Sequence, residues 1–257
     1  KPPGTLPGQD RDLVAPVEQA LRASGVSLLT GCTVSGSRAG PSGLSVELAD
    51  GRRLQAPAAL LTGLRRPNLP EGLEAAGVRL APGGATVAVD AALQTSCPDV
   101  YAVGDVNGLS GMAHAAIEQG LRVARTVAGA AGRGAAPPRA YTGLARALFT
   151  LPEIAGAGLQ ERELQARGVA YRARRVDLGE TWRGLVRGSG RGSGRGSGRA
   201  EGFAKVLSSP EGRVLGLWIC APEASEMAAH FGLLLDKGLS VDELAHGLPI
   251  HPTLGEA

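Results

Sequence analysis

The sequence predicts an α/β chain that ends in an α+β region, and three patterns carry the prediction. From Asp99 to Gly129 a short apolar run, a Gly-Asp turn and a long amphipathic segment follow one another, the order of a strand, a turn and a helix. Residues 13–61 carry one helical period and then short apolar runs around a hairpin turn. Beyond the Gly/Ala/Pro stretch from Gly132 to Pro138, strand patterns and helical patterns segregate, which predicts a sheet covered by helices on one side.

Composition sets the outer bounds. A chain of 257 residues holds one or two domains with a proper core, and 43% hydrophobic residues is ordinary for a globular protein. No apolar run approaches the ~20 residues of a membrane span. No signal peptide pattern is present, and because Lys1 opens the chain the true N-terminus is expected to lie upstream. Cys32, Cys97 and Cys220 stand far apart with neither a CxxC nor a metal-ligand spacing, which fits a reducing cytoplasm and no metal site. The net charge of +3 is small, and lysine occurs only at positions 1, 205 and 237. That balance is the mark of an arginine-, alanine- and glycine-rich coding bias, and it gives little ground for nucleic-acid binding.

Taken in order, Leu13, Val14, Val17 and Leu21 mark a surface helix over 13–23 that Gly25 ends. Val26 to Leu29 reads as a buried strand. Cys32 to Ser37 and Leu44 to Leu48 read as paired strands with the hairpin turn Ala49-Asp50-Gly51-Arg52, and Ala58 to Leu61 as a further strand. Glu71 to Ala76 is helix-like and Ala85 to Val89 strand-like. Asp99 to Val103 is a buried strand stopped by Gly104-Asp105. After the small-residue loop Asn107 to Gly111, a helix begins near Met112 or Ala113, with Ile117, Leu121, Val123, Ala124 and Val127 as its apolar positions and Gly129 closing it. A carboxylate at the carboxyl end of a strand suits the hydroxyls of a ligand, and free N–H groups near Ala113 and His114 suit a carbonyl or an anion. On spacing alone Asp105 reads equally as a cap of the turn.

Past the linker, strands are expected at 145–150, 155–159, 169–177, Phe203 to Leu207 and Val214 to Cys220. Helices are expected at 160–167, 223–237 and Val241 to Ala245. Arg187 to Arg199 reads RGSGRGSGRGSGR, which can bury nothing and is expected as a mobile loop. It reads either as an RGG-like RNA contact or as a tolerated surface repeat; the absence of interleaved aromatics favours the second. At the chain's end Pro252 keeps His251 out of helical geometry, and the residues after it can bring Glu256 back to the imidazole. A carboxylate that fixes the tautomer of a histidine prepares it for proton transfer near neutral pH, although on the residues alone such a pair in a frayed tail is more often inert.

These strings together carry a resemblance. TSCPDVYAVGDV followed by a helix starting at MAH resembles the second flavin-binding motif of the pyridine nucleotide–disulfide oxidoreductases, in particular the dihydrolipoamide dehydrogenase branch. LLTGLRRPN resembles the family's ATGRRPN segment, with Leu64 in place of its glycine; FTLPEIA and GRVLGLWICAPEASEM resemble its interface domain; HPTLGEA resembles its C-terminal HPTLSEA. The resemblance implies partial FAD/NAD(P)-binding Rossmann-like domains and then an α+β dimerisation domain. Residues 1–69 would be the remnant of an NAD domain, 70–136 a central FAD-binding segment and 137–257 the dimerisation domain with the repeat loop at 187–199. It implies FAD at Gly104, Asp105, Met112, Ala113 and His114, with Asp105 on the ribityl chain and the helix start facing the flavin pyrimidine carbonyl. It implies a homodimer in which His251 and Glu256 are the acid–base pair for a dithiol, and a disulfide substrate such as lipoamide. His230 and His246 read as helix surface.

Three parts of such an enzyme are missing from the string: the GxGxxG that holds the FAD pyrophosphate, the CxxxxC redox pair and a second GxGxxG for NAD(P)H. GxGxxG is the glycine pattern that lets backbone approach a pyrophosphate. Two readings follow: part of an FAD- and NAD(P)-dependent disulfide oxidoreductase, or a non-catalytic truncated homologue acting through its dimerisation domain. A third reading, RNA contact, rests on the repeat alone. Truncation also predicts that Val100 and Val103 lose their cover.

Overall fold

The computed structural model describes residues 4–41, 43–63, 66–129, 141–188 and 202–257. Leu64, Arg65, the linker 130–140 and the repeat from 189 onward lie outside the described residues. The described chain falls into two compact units, one formed by residues from Lys1–Leu61 and Ala145–Ala257, the other by Thr62–Leu144. No helix among the described residues is long and apolar enough to cross a membrane.

The first unit is built on a five-stranded antiparallel sheet. Its strands are β4 (Arg146–Leu148), β5 (Glu153–Gly158), β6 (Arg172–Asp177), β7 (Phe203–Ser208) and β8 (Val214–Ala221), after a separate meander of β1 (Val34–Gly40), β2 (Gly43–Leu48) and β3 (Arg53–Ala56). The order across the sheet is β4-β5-β8-β7-β6. Register alternates the side chains strictly: Ile154 faces Cys220 and Cys220 faces Phe203, while one residue along Ala155 faces Ile219 and Ile219 faces Ala204. A period of two therefore sorts the sheet into two apolar faces.

Both faces are covered, where the sequence predicts helices on one side. On the first, Leu13 and Val17 of α1 (Arg11–Ala23) pack with Ile154, Phe203, Trp218 and Cys220. On the second, Ala224 and Ala228 of α5 (Ala224–Ala228) and Phe231 of α6 (Phe231–Asp236) pack with Ala155, Ile219 and Ala221. The expected helix 223–237 is thus two short ones, parted at Ala229 and His230. The helix expected at 160–167 is α3 (Glu161–Ala166), started by a capping box between Gln160 and Glu163. α4 (Trp182–Gly188) has no counterpart in the sequence reading and takes in the first residues of the repeat. α7 (Val241–Ala245) follows the Ser240 cap as expected.

One buried charge cluster ties α1 to the sheet. Lys205 is on the α1-facing side of β7, 2% exposed, and its Nζ donates to Asp10, Asp12 and Glu161 at 2.9, 2.8 and 2.9 Å. Asp10 in turn accepts the N–H groups of Glu161 and Arg162 at 3.0 and 3.1 Å, so one carboxylate at the start of α1 caps α3. Burial pushes the Lys205 ammonium down, but its hydrogen bonds to Asp12, Asp10 and Glu161 outweigh this and hold its pKa above the ordinary lysine value.

Several expected strands are not formed. Val26 to Leu29 and Ala58 to Leu61 have no regular structure, and Leu61 is 97% exposed. Buried strands of this kind need a neighbour on each side, and no described segment pairs with them. The turn at 49–52 does join two paired strands, β2 and the unforeseen β3. In the second unit, Glu71 to Ala76 is a run of turns, and Ala85 to Val89 is reduced to one bridge between Leu80 and Val87. Asp99 to Val103 holds only the bridge Gln94–Tyr101; Ala102 is buried while Val100 and Val103 are exposed. The helix α2 (Ala113–Val127) forms as read, but its faces are reversed: Ile117 and Leu121 are 64% and 55% exposed, while Ala115, Gln119 and Arg122 turn inward.

Candidate functional site

The residues singled out in the sequence fall into two groups, one in each unit. The first is the turn 104–107 and the start of α2. Gly104 has φ +78°, and a Cβ there would sit 3.3 Å from that of Ala116, so both conformation and space call for glycine. Its N–H donates to Gln119 Oε1 at 2.7 Å, and the same oxygen accepts from Asn107 Nδ2 at 2.8 Å. Asn107 Nδ2 also reaches the Ala102 carbonyl at 3.0 Å. This buried net fixes the 3-10 turn that carries Asp105, whose side chain is half-buried. Gln119 was not foreseen; its signal is its place on the same face of α2 as the buried Ala115.

Met112 is the N-cap of α2 in extended conformation and makes no side-chain capping bond. The first-turn N–H groups of Ala113 and His114 have no acceptor within the helix, and both residues are exposed. A glycine hinge, a half-buried carboxylate and the open N-terminus of a 15-residue helix form a set of donors and acceptors. Such a set fits the hydroxyls and the electron-rich carbonyl of a flavin. The sequence offers no glycine-rich loop for a pyrophosphate to go with this set.

The second group is at the end of the first unit. His251 Nδ1 meets Glu256 Oε1 at 2.7 Å, and Glu256 Oε2 accepts the Thr253 N–H at 2.9 Å. Leu254 and Ala257 pack against the α5 side of the sheet, which anchors the 3-10 turn Leu254–Glu256. The imidazole hydrogen bond, followed by the Thr253 N–H, holds the Glu256 carboxyl below the usual carboxylate range. The carboxylate thereby holds Nδ1 and leaves Nε2 directed away from it, the arrangement in which a histidine takes and returns a proton. Thr253 was not singled out in the sequence, although Thr-x-x-Glu is the legible signature of a capping box. Beside the pair lies an open cleft of about 400 Å³ lined by Arg183, Glu223, Glu226, Met227 and Pro252.

Residues 3–120 match the pyridine nucleotide-disulphide oxidoreductase family, and residues 144–257 match the dimerisation domain of pyridine nucleotide-disulphide oxidoreductases. A dihydrolipoyl dehydrogenase from Geobacillus stearothermophilus is 29% identical over 98% of this chain and 51% of its own length. One from Thermus scotoductus is 33% identical over 99% of this chain and 53% of its own. The crystal structure of LpdA from Mycobacterium tuberculosis superposes with a TM-score of 0.82 at 30% identity, over 97% of this chain and 51% of that one. The chain therefore spans about half the length of the relatives it matches. Its fold is an α/β Rossmann-like part with an α+β dimerisation domain, and the chain belongs to the pyridine nucleotide-disulphide oxidoreductase family.

Proposed function

We propose that this chain is the C-terminal half of an FAD- and NAD(P)-dependent disulfide oxidoreductase of the dihydrolipoamide dehydrogenase kind, working as a homodimer in the cytoplasm. The observation that carries the reading is the His251–Glu256 contact at 2.7 Å within a match to the dimerisation domain. In this reading 1–69 is what remains of the NAD domain, 70–136 the FAD-binding segment and 137–257 the dimerisation domain. The substrate is a dithiol or disulfide, with lipoamide as the first candidate.

Each residue then has a role that its own chemistry supports. Asp105 accepts from ribityl hydroxyls, Gly104 lets the chain approach the flavin, and the backbone of Ala113 and His114 beyond Met112 donates to the pyrimidine carbonyl. FAD, when bound, supplies the two-electron carrier that joins nicotinamide to the dithiol. His251 Nε2 takes the proton of a substrate thiol as the thiolate forms and returns it in the reverse direction. Glu256 stabilises the resulting imidazolium and keeps Nδ1 occupied.

A second reading is a non-catalytic homologue that acts through its dimerisation domain. The absence of GxGxxG and CxxxxC favours it for these 257 residues alone. Flavin retention separates the two. The chain is mixed with FAD, alone and with a polypeptide matching the missing half of its relatives, and passed through gel filtration. Absorbance near ~450 nm that co-elutes with protein, followed by lipoamide turnover, supports the enzyme. No retained flavin in either mixture contradicts it and leaves the dimerisation reading.

A further inference from the structure

The roles given to His251 and Glu256 do not account for an indole standing against the imidazole. Trp182 opens α4 and is 68% exposed, an unfavourable placement for so large an apolar ring. Its place is fixed from beneath. Leu178 is fully buried and anchors the 3-10 turn Leu178–Glu180. Thr181 Oγ1 donates to the Leu178 carbonyl at 2.7 Å and accepts the Gly184 N–H at 3.0 Å. A Cβ on Gly184 would run into that same carbonyl, so α4 approaches the turn this closely only with glycine. The residue between Thr181 and Gly184 whose ring reaches an aromatic partner is Trp182. Its ring meets that of His251 edge to face, with centroids 6.5 Å apart and planes at 78°.

The imidazole itself is loosely held on other sides, with 60% of its side chain exposed. An exposed histidine with one carboxylate contact samples several rotamers, and an edge-to-face ring contact shifts such a population by roughly 2- to 12-fold. The indole is set by the locked turn, while Glu256 is set by Thr253 and the packing of Leu254 and Ala257. Two independently anchored groups thus converge on one ring.

We propose that Trp182 is a positioning residue of the His251–Glu256 pair: the indole restricts the imidazole to the rotamer in which Nδ1 meets Glu256 and Nε2 is turned outward. The inference rests on the reading of this pair as the acid–base group above. It also gives α4, invisible in the sequence, a function at the end of the chain. Nothing in it needs the missing half, so the chain itself is the right sample.

The test is side-chain NMR of the whole chain as wild type, Trp182→Ala, Trp182→Phe and His251→Asn. Two signals are followed: the carboxyl carbon of Glu256 against pH, and the ring nitrogens of His251, which report the tautomer. His251→Asn removes the hydrogen bond that depresses the Glu256 titration, so its midpoint rises. With Trp182→Ala the midpoint rises part of the way towards that of His251→Asn, and the His251 ring nitrogens report a more mixed tautomer population than in the wild type. Trp182→Phe, which keeps a ring, restores both signals to wild type. If Trp182→Ala leaves both unchanged while His251→Asn raises the midpoint, the positioning role is wrong and the pair stands. If His251→Asn also leaves Glu256 unchanged, the pair fails and takes the positioning role with it.

Discussion

The sheet region and the segment 62–144 have similar amounts of apolar sequence and use it in opposite ways. In the sheet, β5, β7 and β8 bury almost every residue, with α1 on one face and α5 on the other. In 62–144 the buried cluster is small, centred on Val78, Val87 and Ala102. Ile117, Leu121 and Val127 of α2 meanwhile face outward. Polar atoms show a partial contrast, since Arg146 Nε of β4 is also buried with no hydrogen-bond partner. Lys205 is buried and bonded to three carboxylates. Gln119 Nε2 and Arg122 Nε and Nη1 are buried with no hydrogen-bond partner. A helix that turns Gln119 and Arg122 inward and Ile117, Leu121 and Val127 outward presents an apolar face for which the described residues supply no cover.

Substitutions at matched positions sharpen this contrast, and the largest effect is expected at Lys205. Lys205→Met leaves Asp10, Asp12 and Glu161 without their counter-charge and should cost ~3–5 kcal/mol of sheet stability. Urea unfolding followed by the fluorescence of the buried Trp218, in a Trp182→Phe background, reads it. The same cluster gives a pH dependence. Lys205 has a folded pKa above its unfolded value, so its contribution is complete below about pH 10.5 and is lost as pH rises through the higher folded value. Stability of the wild type should therefore fall at alkaline pH by more than that of Lys205→Met.

Next comes a pair of truncations. Leu13→Ala opens a cavity between α1 and the sheet and should cost ~2–5 kcal/mol. Ile117→Ala, of similar size change, should alter stability by no more than ~0.5 kcal/mol because its side chain already faces solvent. Equal losses would break the comparison. Arg122→Met should do the reverse of a usual core change and stabilise 62–144 by ~1 kcal/mol, since it removes donors that are desolvated without reward. Thermal unfolding read by circular dichroism measures it. The smallest effect belongs to Glu256→Gln: the side chain is partly buried, but the amide keeps an oxygen for the Thr253 N–H, so unfolding should change by less than ~1 kcal/mol, while any acid–base activity of the assembled enzyme should fall.

The sheet was legible in the sequence because its evidence is local. Phe203 and Leu207 alternate inward, Ser209 to Gly212 turns the chain, and β8 follows in register. The inward place of Lys205 on that same period could be counted, but its partners lie up to 195 residues away and no local pattern names them. The strands at 26–29, 58–61 and 99–103 failed for the opposite reason. An apolar run states only that a residue prefers burial; it becomes a strand when neighbours pair with it. α4 escaped notice because WRGLVRG runs into the Arg-Gly-Ser repeat, whose composition argues for a loop. The His251–Glu256 pair was legible because Pro252 and a five-residue spacing bring the two ends together locally. The Trp182 contact joins elements that sequence spacing does not connect.

The central claim, a sheet that holds itself and a segment 62–144 that we propose is made for flavin and a further neighbour, is tested most directly by amide hydrogen exchange on the whole chain. Peptides from β5, β7 and β8 should exchange at least about 10³-fold more slowly than those covering 99–127. Addition of FAD and a polypeptide matching the missing half should slow 99–127 and leave the sheet as it was. Equal protection of both regions in the chain alone, or no change at 99–127 on addition, would contradict the account.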